Sequence, residues 1–236
     1  RPESERRQAS EEELARQEEY LKKAQIYTAQ LAGILGRTPT FHVQNFGCQM
    51  NARDAEKLAG ILRNAGFEEI EAESADFVIY NTCTVRDNAD QHFFGRLGRA
   101  AHFKKHSPYM KIAVCGCMTK EESAVEKIKK SYPYVDVVFG TDKNHRLPEL
   151  ILDRLSGGDR NFCVSDLPHG EFGVICENTP VTRRSSYKAW VSIMYGCNNY
   201  CTYCIVPYVR GRERSRRPED VLDEIKRLAD AGYKDI

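Results

Sequence analysis

Three cysteines lie within one short stretch, Gly196-Cys197-Asn198-Asn199-Tyr200-Cys201-Thr202-Tyr203-Cys204, at the spacing C-x3-C-x2-C. The stretch follows residues 189–195, an apolar run that is typical of a buried strand. Three thiolates on one loop cannot complete a structural zinc site without a fourth ligand from elsewhere. They can bind three irons of a 4Fe–4S cluster and leave the fourth iron open for chemistry. A zinc knuckle, or a chance group of buried cysteines, is the alternative interpretation.

Length and composition limit the class of protein. The 236 residues allow one or two domains, and 35 basic residues nearly balance 34 acidic ones, so any surface that binds nucleic acid must be local. Nine cysteines, without a signal-peptide pattern or a long apolar run, argue against a disulfide scaffold and indicate metal or cluster binding. Because the sequence starts without Met and stops at Ile236, where another strand is predicted to begin, we expect a longer parent chain.

Strand and helix patterns alternate between residues 40 and 155. Predicted strands cover residues 40–46, 75–81, 111–115 and 135–139. Predicted helices cover residues 54–65, 87–106, 121–131 and 147–155. Thr119 and Glu122 have the spacing of a capping box for the third of these helices. The alternation predicts an α/β fold, a doubly wound domain with a largely parallel sheet.

We divide the sequence into four segments. Residues 1–38 form an N-terminal helical extension, in which apolar residues recur at helical spacing. Residues 39–156 form the α/β domain, and residues 157–186, which carry Gly, Pro, Ser and Arg, form a linker. Residues 187–236 place a strand before the cysteine stretch and a helix, 218–231, after it, as in the first βα unit of a (β/α) barrel. The active sites of such barrels lie at the carboxyl ends of the strands, where the cysteine stretch falls.

The α/β domain has a cysteine pattern of its own. Cys48 follows the first predicted strand, Cys83 follows the second, and Cys115 and Cys117 stand at the end of the third. Because ligands bind beyond the carboxyl ends of the strands in an open α/β sheet, these side chains converge on one place. The convergence indicates a second three-cysteine site, although any one buried cysteine is more often structural. Strand alternation would turn Cys115 and Cys117 the same way, so geometry leaves both as candidates.

The residues around these cysteines resemble the radical S-adenosylmethionine (SAM) methylthiotransferase family. The matching motifs are Asn45-Phe46-Gly47-Cys48-Gln49-Met50-Asn51, Asn81-Thr82-Cys83-Thr84-Val85-Arg86, Gly116-Cys117-Met118, and the long run from Tyr195 through Cys204 to Val206-Pro207-Tyr208-Val209-Arg210-Gly211-Arg212-Glu213-Arg214-Ser215-Arg216. The last run looks most like the branch that acts on dimethylallyl-adenosine in tRNA. The sequence departs from the family in its N-terminal helical extension and in stopping after one βα unit of the barrel, without the family's C-terminal RNA-binding module.

The resemblance implies two 4Fe–4S clusters and SAM as cofactors. The cluster that binds SAM and reductively cleaves it to a 5′-deoxyadenosyl radical would be held by the catalytic cysteines Cys197, Cys201 and Cys204. An auxiliary cluster, where the added sulfur is attached and methylated, would be held by Cys48, Cys83 and Cys117. The family pattern thus favours Cys117 over Cys115. Tyr203 would lie near the SAM adenine, with ordinary packing in the barrel as its alternative role.

The implied reaction converts N6-dimethylallyl-adenosine next to the tRNA anticodon to its 2-methylthio derivative. The implied partners are the tRNA anticodon loop and an electron donor such as a flavodoxin or a ferredoxin. We expect a cytoplasmic monomer that does not bind a membrane. Methylthio transfer to an aspartate of a ribosomal protein is one alternative function, and a non-catalytic, metal-stabilised RNA-binding module is the other.

A dense basic run follows the cysteine stretch and includes Arg210, Arg212 and Arg214. We predict that these three arginines contact the RNA backbone or SAM, and a solvated strand edge is the alternative. His102 and His106 stand four residues apart, a spacing that can bind metal. Because no carboxylate or cysteine lies near them in the sequence, we expect an exposed pair.

Overall fold

An N-terminal helix precedes the sheet in the computed structural model, which describes residues 9–84, 87–164 and 181–236. Helix α1 spans Glu11–Leu35; the Ser10 side chain accepts a hydrogen bond from the Glu13 N–H at 3.1 Å, which caps its first turn. The helix ends at Gly36, whose φ of 66° is the left-handed conformation typical of a helix C-terminus. Its buried residues include Ala24 and Leu31, and α1 packs mainly against the last helix of the α/β domain.

Six parallel strands form the central sheet. In chain order they are β1 Thr40–Asn45, β2 Glu68–Glu69, β3 Phe77–Thr82, β4 Lys111–Gly116, β5 Val137–Phe139 and β6 Asn161–Cys163. The helices between them are α2 Gln49–Asn64, α3 Asp87–His106, α4 Glu122–Ser131 and α5 Leu147–Leu155. The strands lie side by side in the order β2-β1-β3-β4-β5-β6. The predicted α/β domain with a parallel sheet is confirmed.

Helices cover both faces of this sheet. Phe77 and Ile79 of β3 point to one face, where they pack with apolar residues of α1, α2 and α5. Val78 and Tyr80 point to the other face and pack with residues of α3 and α4. This alternation is the period-2 pattern of a strand that is buried on both sides.

The chain reverses its winding direction between β1 and β3. From β1 it runs to the neighbouring β2 on one side, and it then crosses to β3 on the other side of β1. Because α2 and α3 therefore lie on opposite faces of the sheet, a crevice opens between the carboxyl ends of β1 and β3. Cys48 follows β1 and Cys83 follows β3, so these two cysteines flank the crevice.

The sheet continues into the segment that was predicted to be a linker, residues 157–186. Strand β6 pairs with β5 along its whole length, from Asn161 opposite Val137 to Cys163 opposite Phe139. A three-residue edge strand has too short an apolar pattern to be recognised in the sequence and depends on its neighbour for its hydrogen bonds. The remainder of the predicted linker, residues 165–180, lies outside the described ranges.

Two local predictions in the α/β domain were wrong. Helix α2 begins at Gln49, five residues before the predicted start at residue 54, because its first turns are polar and show no apolar period. The predicted capping box before α4 does not form, since the Thr119 hydroxyl donates to the Gly116 and Phe139 carbonyl oxygens at 2.9 and 3.1 Å. The N-cap residue of α4 is Glu121, whose side chain makes no capping hydrogen bond.

The second unit begins with extended chain near residue 188. Its regular elements are β7 Met194–Tyr195, α6 Val206–Arg210, β8 Arg214–Ser215 and α7 Pro218–Asp230. Lys188 forms a parallel bridge with Asp235 after α7, which gives the strand–helix–strand order of a βα unit. The predicted strand at 188–195 is regular only at its end, where β7 pairs with β8 in antiparallel fashion. No helix in the described part of the chain is long and apolar enough to cross a membrane.

Candidate active site

The cysteine stretch forms a loop that is hydrogen-bonded to the segment after α6. The Cys197 N–H donates to the Gly211 carbonyl at 3.2 Å, and the Glu213 N–H donates to Asn198 Oδ1 at 2.9 Å. Gly196 has a φ of 69°, and a Cβ atom at this position would lie 2.2 Å from the Arg212 carbonyl oxygen. Only glycine fits such a close backbone approach, so this residue holds the start of the loop against its neighbour.

The three thiols of this loop lie at or near the surface. Cys201 is exposed, whereas Cys197 and Cys204 are half-buried. The Cys204 N–H donates to the Cys201 carbonyl at 2.9 Å, which closes a tight turn between the second and third cysteines. One exposed cysteine thus lies between two half-buried ones in this loop.

Three tyrosines in or just after this loop have exposed side chains, namely Tyr200, Tyr203 and Tyr208. Tyr203 is 90% exposed, so within the described chain it does not have the ordinary packing that was its alternative role. Tyr200 has a φ of 46°, unusual for a residue other than glycine, and its ring stands nearly perpendicular to that of Tyr208 at 6.0 Å between centroids. The contact of Tyr203 with the SAM adenine stays a prediction.

Two cysteines of the α/β domain, Cys48 and Cys117, lie next to Asn51 of α2. Asn51 is fully buried, and its Oδ1 atom lies 3.7 Å from Cys48 Sγ and 4.0 Å from Cys117 Sγ. Its Nδ2 atom donates to the Thr82 carbonyl at 2.6 Å, next to Cys83. One amide side chain thus connects the segments that follow β1, β3 and β4, the three strand ends at which these cysteines stand.

Gly116 separates the two cysteines that follow β4. Its φ of 103° breaks the alternation of the strand, and a Cβ atom there would lie 2.2 Å from the Thr82 carbonyl oxygen. Cys115 remains in the strand and joins the apolar core, with its thiol 3.8 Å from Asn81 Oδ1. Cys117 opens a 3-10 turn and points to Asn51. Strand alternation therefore does not apply across this position, and the two side chains have different surroundings.

Burial affects both of these thiols. It raises the pKa of Cys115 well above the ordinary thiol value, and the negative charge of Asp54 adds to this effect. Burial also raises the pKa of Cys117, but the positive charge of Arg210 and a hydrogen bond from it act in the opposite direction. The charge of Arg210 also opposes the effect of burial at Cys115, but only Cys117 has a hydrogen bond from Arg210 among its causes. The choice of Cys117 over Cys115 stays a prediction.

The fit of a cluster to each set can be judged from the donors and their surroundings. Each set offers three sulfur donors, the chemistry that binds iron–sulfur clusters. The hydroxyl of Thr84, next to Cys83, is buried without a hydrogen-bond partner among the described residues, so it is a polar atom that a bound group could satisfy. In the ranges the structure describes, however, no three His, Cys, Asp or Glu side chains are grouped so as to hold one metal ion.

Other metal-binding residue types lie away from these sites. The rings of His102 and His106 lie with their centroids 4.5 Å apart and their planes tilted by 51°, and His106 Nδ1 lies 2.8 Å from the His102 carbonyl oxygen. Cys163 on β6, which matches no motif, lies 3.4 Å from Arg146 Nη1. Cys176, the other unmatched cysteine, is not among the described residues.

The structure places two of the three predicted RNA-contacting arginines inside the protein. Arg210 donates from Nη2 to Asn51 Oδ1 at 2.8 Å and to Asp54 Oδ2 at 3.0 Å, and its side chain is only 7% exposed. Arg214 is also buried and donates to the Arg210 carbonyl at 3.0 Å. Arg212 alone of the three is exposed. Arg210 and Arg214 therefore connect parts of this chain, because their tertiary neighbours supply acceptors that the sequence pattern does not reveal.

A buried ion-pair network, here called the interface network, joins α2 to the second unit. Its members are Arg53, Glu56, Arg183, Arg216 and Glu224. Glu224 on α7 accepts from Arg53, Arg183 and Arg216 at 2.8, 3.0 and 2.7 Å. Burial alone would raise the pKa of Glu224, but the nearby guanidinium groups outweigh burial and lower it. The polar face of α2 is thus buried by the second unit.

Comparisons with known proteins agree with this division. Residues 40–140 match the model described as uncharacterized protein family UPF0004, and residues 191–236 match that of the radical SAM superfamily. The chain combines a UPF0004 domain with the start of a radical SAM domain. These matches confirm the resemblance that the cysteine motifs indicated.

Several similar proteins carry the name tRNA-2-methylthio-N(6)-dimethylallyladenosine synthase. One from Lachnoclostridium phytofermentans is 54% identical over 87% of this chain and 44% of its own length. One from Desulforamulus reducens is 46% identical over 90% of this chain and 46% of its own length. One from Thermoanaerobacter sp. (strain X514) is 44% identical over 96% of this chain and 46% of its own length. The chain thus spans less than half the length of these relatives.

Proposed function

We propose that this chain is part of a radical SAM methylthiotransferase that acts on tRNA. The proposed reaction converts N6-dimethylallyl-adenosine next to the anticodon to its 2-methylthio derivative. The observation that supports it most is that Asn51 lies next to the Cys48 and Cys117 thiols and accepts a hydrogen bond from Arg210, which follows the Cys197–Cys201–Cys204 stretch. The names of the relatives support tRNA as the substrate.

We propose that each set holds one 4Fe–4S cluster. Cys197, Cys201 and Cys204 would hold the one to which SAM binds, while Cys48, Cys83 and Cys117 would hold the auxiliary one. With SAM bound, such a cluster supplies a carbon radical that can remove hydrogen from an unactivated C–H bond, which no side-chain acid or base can do. The protein supplies binding, orientation and the exclusion of water.

The residues around the cysteine stretch 196–204, here called the radical SAM loop, have separate roles in this proposal. The backbone contacts of Cys197 and Asn198 with residues 211–213 fix the loop. The exposed rings of Tyr200, Tyr203 and Tyr208 offer faces for the SAM adenine or for a base splayed out of the anticodon loop. Arg212 remains a proposed contact for the RNA backbone because it is at the surface.

The proposed partners are tRNA and a small electron-transfer protein such as a flavodoxin or a ferredoxin. The exposure of Cys201 in the described chain supports this proposal, because an electron donor could approach a cluster held there. We also propose that the protein works as a monomer in the cytoplasm.

The test is mass spectrometry of tRNA nucleosides after anaerobic incubation of the full-length parent protein with SAM, a reductant and tRNA that carries dimethylallyl-adenosine. We expect a gain of one methylthio group on that nucleoside. Cys197→Ala should abolish both this gain and the formation of 5′-deoxyadenosine. Cys117→Ala should abolish the gain while 5′-deoxyadenosine still forms, and Cys163→Ala is the matched control that should retain both.

The outcomes separate the alternatives. SAM cleavage without any gain on tRNA would contradict the tRNA substrate and favour a ribosomal-protein aspartate, which the same assay can test with that protein. The absence of SAM cleavage in protein that holds both clusters would contradict the enzymatic function. It would leave a metal-stabilised RNA-binding module as the better description.

A further inference from the structure

One buried side chain reaches from the radical SAM segment into the cysteine site of the other domain. Arg210 is the last residue of α6, six residues after Cys204. Its guanidinium group lies between Asn51 and Asp54 of α2, at 2.8 and 3.0 Å. The side chains of Arg210 and Asp54 are 7% and 6% exposed, so the ion pair is shielded from water. Arg210 thereby connects the segment that follows the Cys197–Cys201–Cys204 stretch to Asn51 and Asp54.

The contact with Asn51 distinguishes Arg210 from the arginines of the interface network. Asn51 Oδ1 accepts a hydrogen bond from Arg210 and also lies next to the thiols of Cys48 and Cys117. The arginines of the interface network bind carboxylates and backbone carbonyls instead. Arg210 therefore acts at the point where two of the proposed auxiliary-cluster ligands meet.

The chemistry of a sulfur ligand points the same way. A cysteine sulfur that binds a cluster carries no proton and can only accept hydrogen bonds. A buried sulfur anion then needs N–H donors and a positive charge nearby. The guanidinium group has five N–H donors in a fixed plane and cannot be deprotonated, so it can serve Asn51, Asp54 and a sulfur at once.

We propose that Arg210 is a positioning residue for the Cys48–Cys83–Cys117 site. It orients Asn51 and supplies a positive charge from the radical SAM segment, so the auxiliary site is complete only when the two domains are docked. The inference rests on the proposed function, in which this set holds a 4Fe–4S cluster. Arg210 acts through Asn51 and through its charge, and we assign it no contact with the tRNA base.

The test uses full-length protein in which Cys197, Cys201 and Cys204 are all changed to Ala, so that a cluster can load only at the auxiliary site. In this background, Arg210→Gln is compared with Arg63→Gln after anaerobic reconstitution. Arg63 is the matched control because it is an exposed arginine of α2 whose partner is Glu69. The measurements are the electron paramagnetic resonance spectrum and the midpoint potential, neither of which needs tRNA or turnover.

Removal of a nearby positive charge makes the reduced, more negative cluster less stable. We therefore expect Arg210→Gln to lower the midpoint potential and change the spectrum, while Arg63→Gln leaves both unchanged. Arg210→Lys keeps the charge but not the planar fork, so it should recover more than half of the shift in potential. In the converse background, with Cys48, Cys83 and Cys117 changed to Ala, Arg210→Gln should not alter the spectrum of the remaining cluster.

Three results would overturn this inference. The first is that Arg210→Gln and Arg63→Gln give the same midpoint potential and the same spectrum. The second is that Arg210→Gln and Arg210→Lys shift the potential equally. The third is that no cluster loads at the auxiliary site in the protein in which only Cys197, Cys201 and Cys204 are changed. The first two would leave the proposed function standing, because methylthio transfer by the unaltered protein is measured separately. If that transfer fails while Arg210→Gln still shifts the potential, the proposed function fails and this inference stands.

Discussion

Removal of the Glu224 charge should weaken the contact between the two domains. Glu224 accepts from three arginines at 2.7–3.0 Å, and its side chain is 12% exposed. In the Glu224→Gln variant the three buried guanidinium groups would face one carboxylate fewer. Removing one partner of a buried ion pair costs about 3–5 kcal/mol. Because Glu224 is partly exposed, we expect a cost of about 3 kcal/mol, at the lower end of this range. For a chain of this size, that lowers the melting temperature by about 6–12 °C.

Calorimetry or circular dichroism of this chain measures the effect directly. Glu219→Gln is the matched control, since Glu219 is an exposed acidic residue on the same helix, and it should change the stability by less than about 0.5 kcal/mol. The double variant Glu224→Gln with Arg183→Gln should lose less than the sum of the single losses, because the two groups interact. A melting temperature for Glu224→Gln that equals that of Glu219→Gln would refute the interface network as a stabilising element.

Two further predictions concern pH and the backbone. Because the pKa of Glu224 is lower in the folded protein than its ordinary value of 4.5, its contribution to stability is present above that value and is lost as the pH falls through the folded pKa. Urea unfolding between neutral pH and about pH 3 should therefore show a steeper loss for the unaltered chain than for Glu224→Gln; parallel curves would contradict this. Gly116→Ala places a Cβ atom 2.2 Å from the Thr82 carbonyl oxygen at a φ of 103°, and should cost at least about 1–3 kcal/mol in urea unfolding. Gly98→Ala, on α3 with no atom within 4 Å of the added Cβ, should be stabilising by about 0.5–1 kcal/mol, and equal effects of the two glycine changes would contradict the argument.

The regular elements of the α/β domain could be predicted where the signal is local. Helices α3 and α5 have the bounds predicted from their apolar period and their flanking residues, Asp87–His106 and Leu147–Leu155. The edge strands β2 and β6 were not predicted, because two or three residues cannot show a period of two. Their hydrogen bonds come from β1 and β5, which is tertiary information.

The start of α2 was missed for a related reason. The early turns of α2 are rich in charged residues without an apolar period, and Arg53, Asp54, Glu56 and Lys57 are all buried in the structure. The second unit and the residues just before it cover this face and pair its charges, as Glu224 does for Arg53 and as Arg183 does for Glu56. A helix with two buried faces, one apolar and one ionic, has no distinct signature in a single sequence.

The candidate site shows the same division between local and tertiary information. The cysteines of the radical SAM loop are close in sequence, so their spacing alone indicates the chemistry. Asn51 and Arg210 are 159 residues apart, and nothing in the sequence connects them. Arg210 was predicted to contact the RNA backbone or SAM because it lies in a dense basic run, and its acceptors are brought to it only by the fold.

In the proposed function, each of the two separate cysteine sets holds one 4Fe–4S cluster. The most direct measurement is iron and acid-labile sulfide per chain, with Mössbauer spectra, in the reconstituted full-length protein and in two variants that each lack one set. We expect about eight irons in the unaltered protein and about four in each variant, the loss being confined to the cluster whose cysteines are absent. About four irons in the unaltered protein, all lost with Cys197, Cys201 and Cys204, would contradict the two-cluster account.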